Sequence, residues 1–264
     1  NFLMILFSVS CLYPVVWLCY ASLNDKRDFT VNPVALPKAP SLANYFAIFS
    51  QSDMGIWMLN TLRNTAVSLP FILLFGFIIG YLLSRFHFRG HTALYGYFLL
   101  GIVIPIHALM IPLYVQFKKC HILNRWFTLP VAYIAFGMPI VIFLVESYVH
   151  SIPVEMEEAA TLDGSSFSRT MFSIILPMCR PVLVTAGIIQ FFTCWNEFSF
   201  ALILVSKDTL VTLPVGMTLF KGQYSTDYPG MMAAMFLSIL PAIILYLAFS
   251  KQIIKGMVTG AVKG

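Results

Sequence analysis

Charge is what this sequence has least of. Asp, Glu, Lys and Arg make up only 10% of its 264 residues, where a soluble domain carries about 25%. That scarcity excludes an ordinary water-soluble domain. The five cysteines (Cys11, Cys19, Cys120, Cys179, Cys194) form no C-x-x-C pair and no zinc spacing. They read as free thiols in or near helices, and no metal site is expected. No G-x-x-x-x-G-K-S/T stretch occurs, so the chain has no P-loop for a nucleotide. G-x-S-x-G and His-Glu-x-x-His are also missing; His87 and His91 share i,i+4 spacing without the glutamate. No catalytic constellation remains, and no cofactor of the chain's own is expected. The net charge of +5 comes from scattered Lys and Arg, which argues against a nucleic-acid partner. The short alternating strands of a membrane β-barrel are absent from the pattern as well.

Apolar residues are abundant instead. They reach 59%, with a mean hydropathy of +0.85. They come in blocks long enough to cross a bilayer, which takes about 20 helical residues. The expected fold is all-α: one polytopic transmembrane helical bundle over residues 1–264. Six spans are expected, at residues 2–22, 57–84, 92–117, 127–148, 177–205 and 230–250. The chain opens inside an apolar run, so a short preceding segment is expected. Residues 2–22 are too long for a signal-peptide core, and no small-residue cleavage site follows. Pro105, Pro112, Pro139 and Pro181 fall inside spans and predict kinked helices packed on neighbours.

One polar island interrupts the apolar blocks. Four of the 11 acidic residues lie in nine positions, Glu155 to Asp163. Pro153 suits a helical first turn. Glu155, Glu157 and Glu158 sit where the helix dipole favours negative charge. Ala159 and Ala160 keep one face small, and Gly164 fits a helix stop at positive φ. Ser165 or Ser166 can cap a second helix with an apolar stripe of Phe167, Met171, Ile174 and Ile175. The pattern predicts a short helix, a sharp turn and a second helix outside the bilayer, with Pro177 leading back in. A partner protein is expected to read it. With six spans, one face of the membrane carries seven basic residues and the other nine. The count alone does not orient the chain; the tight basic loop 85–91 and the basic tail favour the island's side as cytoplasmic.

Glu158-Ala159-Ala160, then Gly164 after three residues, then Ile174-x-Leu176-Pro177 after nine more, resembles the EAA loop of permease subunits of ABC importers. Ile152-Pro153, Trp195-Asn196-Glu197-Phe198, Thr212-Leu213-Pro214-Val215-Gly216 and Gly260-Ala261-Val262-Lys263-Gly264 are similar to the carbohydrate-uptake branch, in particular to the second permease subunit of maltose-type systems. The resemblance covers essentially the whole chain. It implies a cytoplasmic coupling helix between spans four and five, within residues 151–176. Glu155, Glu158, Ala159, Ala160, Asp163 and Gly164 are the implied ATPase-coupling residues. The implied partners are a second homologous permease, a cytoplasmic ATPase dimer that uses ATP and Mg, an extracytoplasmic solute-binding protein and the lipid bilayer. The implied place is a bacterial or archaeal inner membrane, crossed many times. The tail from Lys251 is expected to reach the ATPase dimer.

Polar groups inside a span are costly and usually face a bundle or cavity. Gln190, Trp195, Asn196 and Glu197 in the fifth span supply the amides, carboxylate and aromatic face that a sugar requires. Interhelical hydrogen bonding is the competing role. His107 and Tyr114 in the third span are further candidates for the path; a packed polar group is the ordinary reading of His107. The connection 207–229, with Lys207, Asp208, Lys221, Tyr224, Asp227 and Tyr228, is placed to meet a solute-binding protein. A non-sugar solute such as glycerol phosphate or amino acids stays open, as does an ion-coupled secondary transporter. The latter calls for ionisable groups near the membrane midplane, and few are seen.

Overall fold

A computed structural model describes residues 2–223 and 227–261, with side chains described through Leu219 and from Asp227 to Ser250. The side chain of Lys221, all of Tyr224, and the side chains and end of the tail motif at 260–264 lie outside the described residues.

All regular structure among the described residues is helical. Four helices are long and apolar enough to cross a membrane: α1 (Phe2–Ala21), α4 (Met54–Arg85), α7 (Thr128–His150) and Tyr228–Ser250 within α14 (Tyr228–Ala261). Two bent pairs bring the number to six if each is one span. The first pair is α5 (His91–Val103) and α6 (Ile106–Lys119), bent by 105°. The second is Phe167–Met178 with α11 (Arg180–Trp195), bent by 73°.

The first break falls at Ile104–Pro105 inside the 92–117 block, where Pro105 predicts a kink, and the second falls at Cys179, at the start of the 177–205 block. Ile104 is extended, with φ −69° and ψ 122°, and Pro105 follows it. Proline's ring pushes the preceding residue out of helical geometry, and here that ends α5. Pro112 and Pro139 instead lie inside continuous helices. Pro181 falls in the first turn of α11, where its missing N–H costs nothing. The fifth span stops at Trp195, and a separate short helix, α12 (Ser199–Leu204), follows. Two connections also hold more helix than their composition suggests. Residues 23–53 contain α2 (Lys26–Val31) and α3 (Ala43–Gln51). The 207–229 connection contains α13 (Leu213–Gln223).

The chain divides into two compact units. One comprises residues up to Thr61 together with Ser206–Ala248. Its polar backbone is held by side chains. Trp17 Nε1 donates to the Pro33 carbonyl at 3.0 Å, and Asn44 Nδ2 donates to the Ser22 and Asn24 carbonyls at 2.8 and 2.9 Å. Asn60 Nδ2 reaches the Thr209 and Val211 carbonyls at 3.0 and 2.9 Å, and the Leu213 amide donates to Thr61 Oγ1 at 2.8 Å. Trp57 lies directly over Gly216, leaving no room for a side chain there.

The other unit comprises Leu62–Val205 and the chain from Phe249. Its centre is α7, against which α5, α11 and α12 pack. Helix α4 approaches α7 closely. A Cβ on Gly76 would lie 2.5 Å from Val141 Cγ1, and one on Gly80 would lie 2.9 Å from Val145 Cβ. Small residues at such contacts permit the dense packing that holds helices together where water supplies no hydrophobic drive.

Candidate functional site

The polar island folds as α8 (Glu155–Leu162), a turn, α9 (Phe167–Arg169), a π-helical segment Thr170–Ile175 and α10 (Leu176–Met178). Pro153 stands just ahead of α8, whose cap is Val154, so it precedes the first turn instead of occupying it. Three carboxylates fill that first turn, where unpaired N–H groups favour them. Gly164, two residues past the end of α8, makes the turn with φ +79°. A Cβ there would meet nothing within 4 Å, so the demand for glycine is purely conformational. Ser166 occupies the cap position of α9 without a side-chain bond to it. Ser165 Oγ instead accepts from Thr170 Oγ1 at 3.0 Å. Of the expected apolar stripe, Met171 and Ile175 are buried, Ile174 is half-buried and Phe167 is exposed.

Helix α8 has two faces with different roles. Glu155, Glu158, Ala159, Asp163 and Gly164 are exposed. Ala160 is only 7% exposed and is turned into the chain's own packing. A shallow depression of roughly 280 Å³ lies beside it, lined by Ala160, Asp163, Ser165, Arg169, Ser173 and Ile174. Glu157 also turns inward. Its Oε1 accepts from Arg85 Nε at 2.6 Å, and its Oε2 accepts from the Tyr81 hydroxyl at 2.6 Å. Arg85 Nη2 donates to the Ile152 carbonyl at 2.8 Å, just before α8. Phe167 packs against Tyr81 and Phe86, with ring centroids 6.0 and 5.8 Å apart.

Arg85, Tyr81 and Glu157 were not among the expected site residues. Tyr81 and Arg85 are one turn apart on α4, so their shared face is readable in the sequence. Their partner is not, because it lies more than 70 positions away. Helical phase separates the three glutamates as well: Glu155 and Glu158 are neighbours at i,i+3, while Glu157 shares a face with Ala160.

The path candidates scatter. Gln190 is 2% exposed, and its Oε1 has no hydrogen-bond partner. It sits against Gly137, whose added Cβ would lie 2.7 Å from that oxygen. Trp195 is buried, its ring stacked on Phe191 at 5.7 Å. Asn196 is exposed at the end of α11. Glu197 is committed to its own chain: Oε1 accepts from the Phe200 amide at 2.6 Å, and Oε2 from the Ala201 amide and Tyr133 hydroxyl, both at 3.1 Å. It therefore caps α12. His107 and Tyr114 are exposed on α6. The His87 and His91 rings stack at 5.0 Å, and no group of three metal-ligating side chains occurs among the described residues.

Several apolar spans and bent helix pairs, with a polar helix-turn-helix whose outer face is exposed, define a multi-pass helical membrane protein. The binding-protein-dependent transport system inner membrane component family matches residues 72–258, and the chain belongs to that family. It is 30% identical to the sulfoquinovosyl glycerol transport system permease of Agrobacterium fabrum, over 97% of this chain and 90% of the relative. It is 30% identical to the trehalose/maltose transport system permease of Thermococcus litoralis, over 98% and 94%. Its fold is similar to a chain of a bacterial ABC transporter that imports the acidic polysaccharide alginate. There the TM-score is 0.82 at 22% identity, covering 94% of this chain and 93% of that one.

Proposed function

We propose that this chain is the permease subunit of an ATP-driven, binding-protein-dependent ABC importer for a carbohydrate. Residues 1–264 act as one permease domain that forms half of the translocation path. Residues 151–176 lie on the cytoplasmic side and dock into an ATPase subunit. The observation that carries the reading is the outward face of α8: Glu155, Glu158 and Asp163 are exposed and Gly164 makes an open turn. Such a face offers charge and close approach to a partner at no cost to the fold. Relatives named for sulfoquinovosyl glycerol, diacetylchitobiose, trehalose/maltose and arabinooligosaccharides support a carbohydrate cargo.

The chain supplies no catalytic group; a separate ATPase dimer uses ATP and Mg. A second homologous permease completes the path, and an extracytoplasmic binding protein delivers the solute. ATP closes the ATPase pair, the pair carries the docked loop with it, and the bundle switches from inward-open to outward-open as rigid bodies. Gln190, buried with an unpaired oxygen, is the candidate closest to a path role. Glu197 serves the path indirectly by fixing the α11–α12 break.

Co-purification of the native complex tests the reading. The second permease, ATPase and binding protein are expected with the chain, and Glu158→Arg is expected to shed the ATPase while the chain remains inserted. Retention of the ATPase with unaltered stimulation by the binding protein would overturn it. Thermal shifts of the binding protein against oligosaccharides, polyols and glycerol phosphates then identify the cargo.

A further inference from the structure

Residues 151–176 are joined covalently to α7 on one side and α11 on the other. No chain connection joins them to α4. Side chains make that link. The guanidinium of Arg85, in the last turn of α4, holds two acceptors on separate parts of the loop: the Ile152 carbonyl ahead of α8 and the Glu157 carboxylate in its first turn. Tyr81, one turn earlier, takes the other carboxylate oxygen. The pair is enclosed, with side-chain exposures of 9% for Arg85 and 16% for Glu157, so salt screens it weakly. Beyond the Gly164 turn the same helix is gripped again. Phe167 packs on Tyr81 and Phe86, and Phe172 packs on Phe77. Both arms of the docking element are therefore pinned to α4.

We propose that Arg85 and Glu157 form a clamp that makes α4 travel with α8 as one body, so that displacement of the docking element moves the second span directly. The proposal rests on the reading of residues 151–176 as the ATPase-docking element. The glutamates of α8 then serve two different surfaces. Glu155 and Glu158 face outward to the partner, and Glu157 faces inward to the transmembrane helix. Arg85 is a positioning residue, since it acts on the transport cycle through Glu157. Lysine does not replace it, because a single ammonium lacks the planar fork that spans two acceptors. The close α4–α7 contact at Gly76 and Gly80 extends the body to α7.

The test uses the complete importer in lipid nanodiscs, with MgATP and vanadate as the probe. Cys11 and Cys120 are exposed and Cys19 is half-buried; all three are replaced by serine. Spin labels are placed at Leu162→Cys on α8 and Leu74→Cys on α4, both exposed positions. In the otherwise unsubstituted chain the distance between labels is expected to hold when vanadate traps the closed ATPase. In Arg85→Glu it is expected to shift by about 5 Å, one helical turn, with stimulation of ATPase activity by the binding protein reduced about tenfold. The exchange Arg85→Glu with Glu157→Arg is expected to restore both. Arg85→Lys preserves charge and assembly and is expected to lose part of the stimulation; it decides the matter if Arg85→Glu does not assemble. A distance that changes by a full turn in the unsubstituted chain overturns the clamp, as does full stimulation in Arg85→Lys when Arg85→Glu fails to assemble, or an assembled Arg85→Glu with unaltered distance and stimulation. Absence of any ATPase partner would instead refute the docking reading on which the clamp stands.

Discussion

Arg85 Nε lies 2.6 Å from Glu157 Oε1, closing a separation of 72 residues with an ion pair largely shielded from solvent. Removing one member leaves the other charge enclosed and unpaired. Arg85→Ala is expected to destabilise the protein by about 3 kcal/mol. Replacement of both residues by apolar ones is expected to cost less than either single change. Thermal unfolding of the purified chain in detergent at matched lipid content measures both.

Gly164 holds φ +79° with open space where a Cβ would stand. Gly164→Ala is therefore expected to strain the backbone by about 1 kcal/mol without a steric clash. The β-branched Gly164→Val is expected to do more damage to ATPase retention than to insertion. Quantifying the ATPase that co-purifies with each variant checks the order.

Glu197 accepts two amides at the start of α12 and a hydroxyl from α7. Glu197→Gln keeps the size but has one acceptor oxygen, and a loss of about 1–2 kcal/mol is expected. Tyr133→Phe removes one bond and is expected to cost about 1 kcal/mol. The two changes should be less than additive, because they share a network. Chemical denaturation of the single and double variants supplies the cycle.

The Leu213 amide has its acceptor in Thr61 Oγ1, and the pair is buried. Thr61→Val conserves shape and strands the amide, for an expected cost of about 1–3 kcal/mol. Amide hydrogen exchange at Leu213 should accelerate along with the loss of stability.

Gly80 faces Val145 at a distance that admits no side chain. Gly80→Val is expected to force α4 from α7 and to cost about 1–3 kcal/mol. A paired Val145→Ala should recover part of the loss, which thermal unfolding reads directly.

The helical class was legible because only helices and closed barrels satisfy the backbone in lipid, and the long continuous apolar blocks lack the alternation of barrel strands. The polar helix-turn-helix was legible because Glu158-Ala159-Ala160, Gly164 and Pro177 each meet a local demand of charge, size or backbone angle. Pro105 marks the bend in the third span, but its size and the stop after Trp195 were hidden because hydropathy does not register direction. A break at Ile104–Pro105 or after Trp195 leaves the apolar run intact while turning the chain. Helix α13 was hidden for the opposite reason: its polar flanks and Pro214 read as loop, and its packing on Trp57 comes from a distant segment.

The sequence by itself determined that the chain is helical, that most of it belongs in a bilayer, and where the polar element stands between spans. These follow from residue-by-residue transfer energies and helix geometry, which are local. Only the tertiary structure decided which glutamates of α8 are exposed and which faces α4. It also showed that Glu197 caps a helix in its own chain, and that Arg85 reaches across 72 residues to α8. Those outcomes depend on which surfaces packing brings within hydrogen-bond reach, and no local pattern encodes that distance.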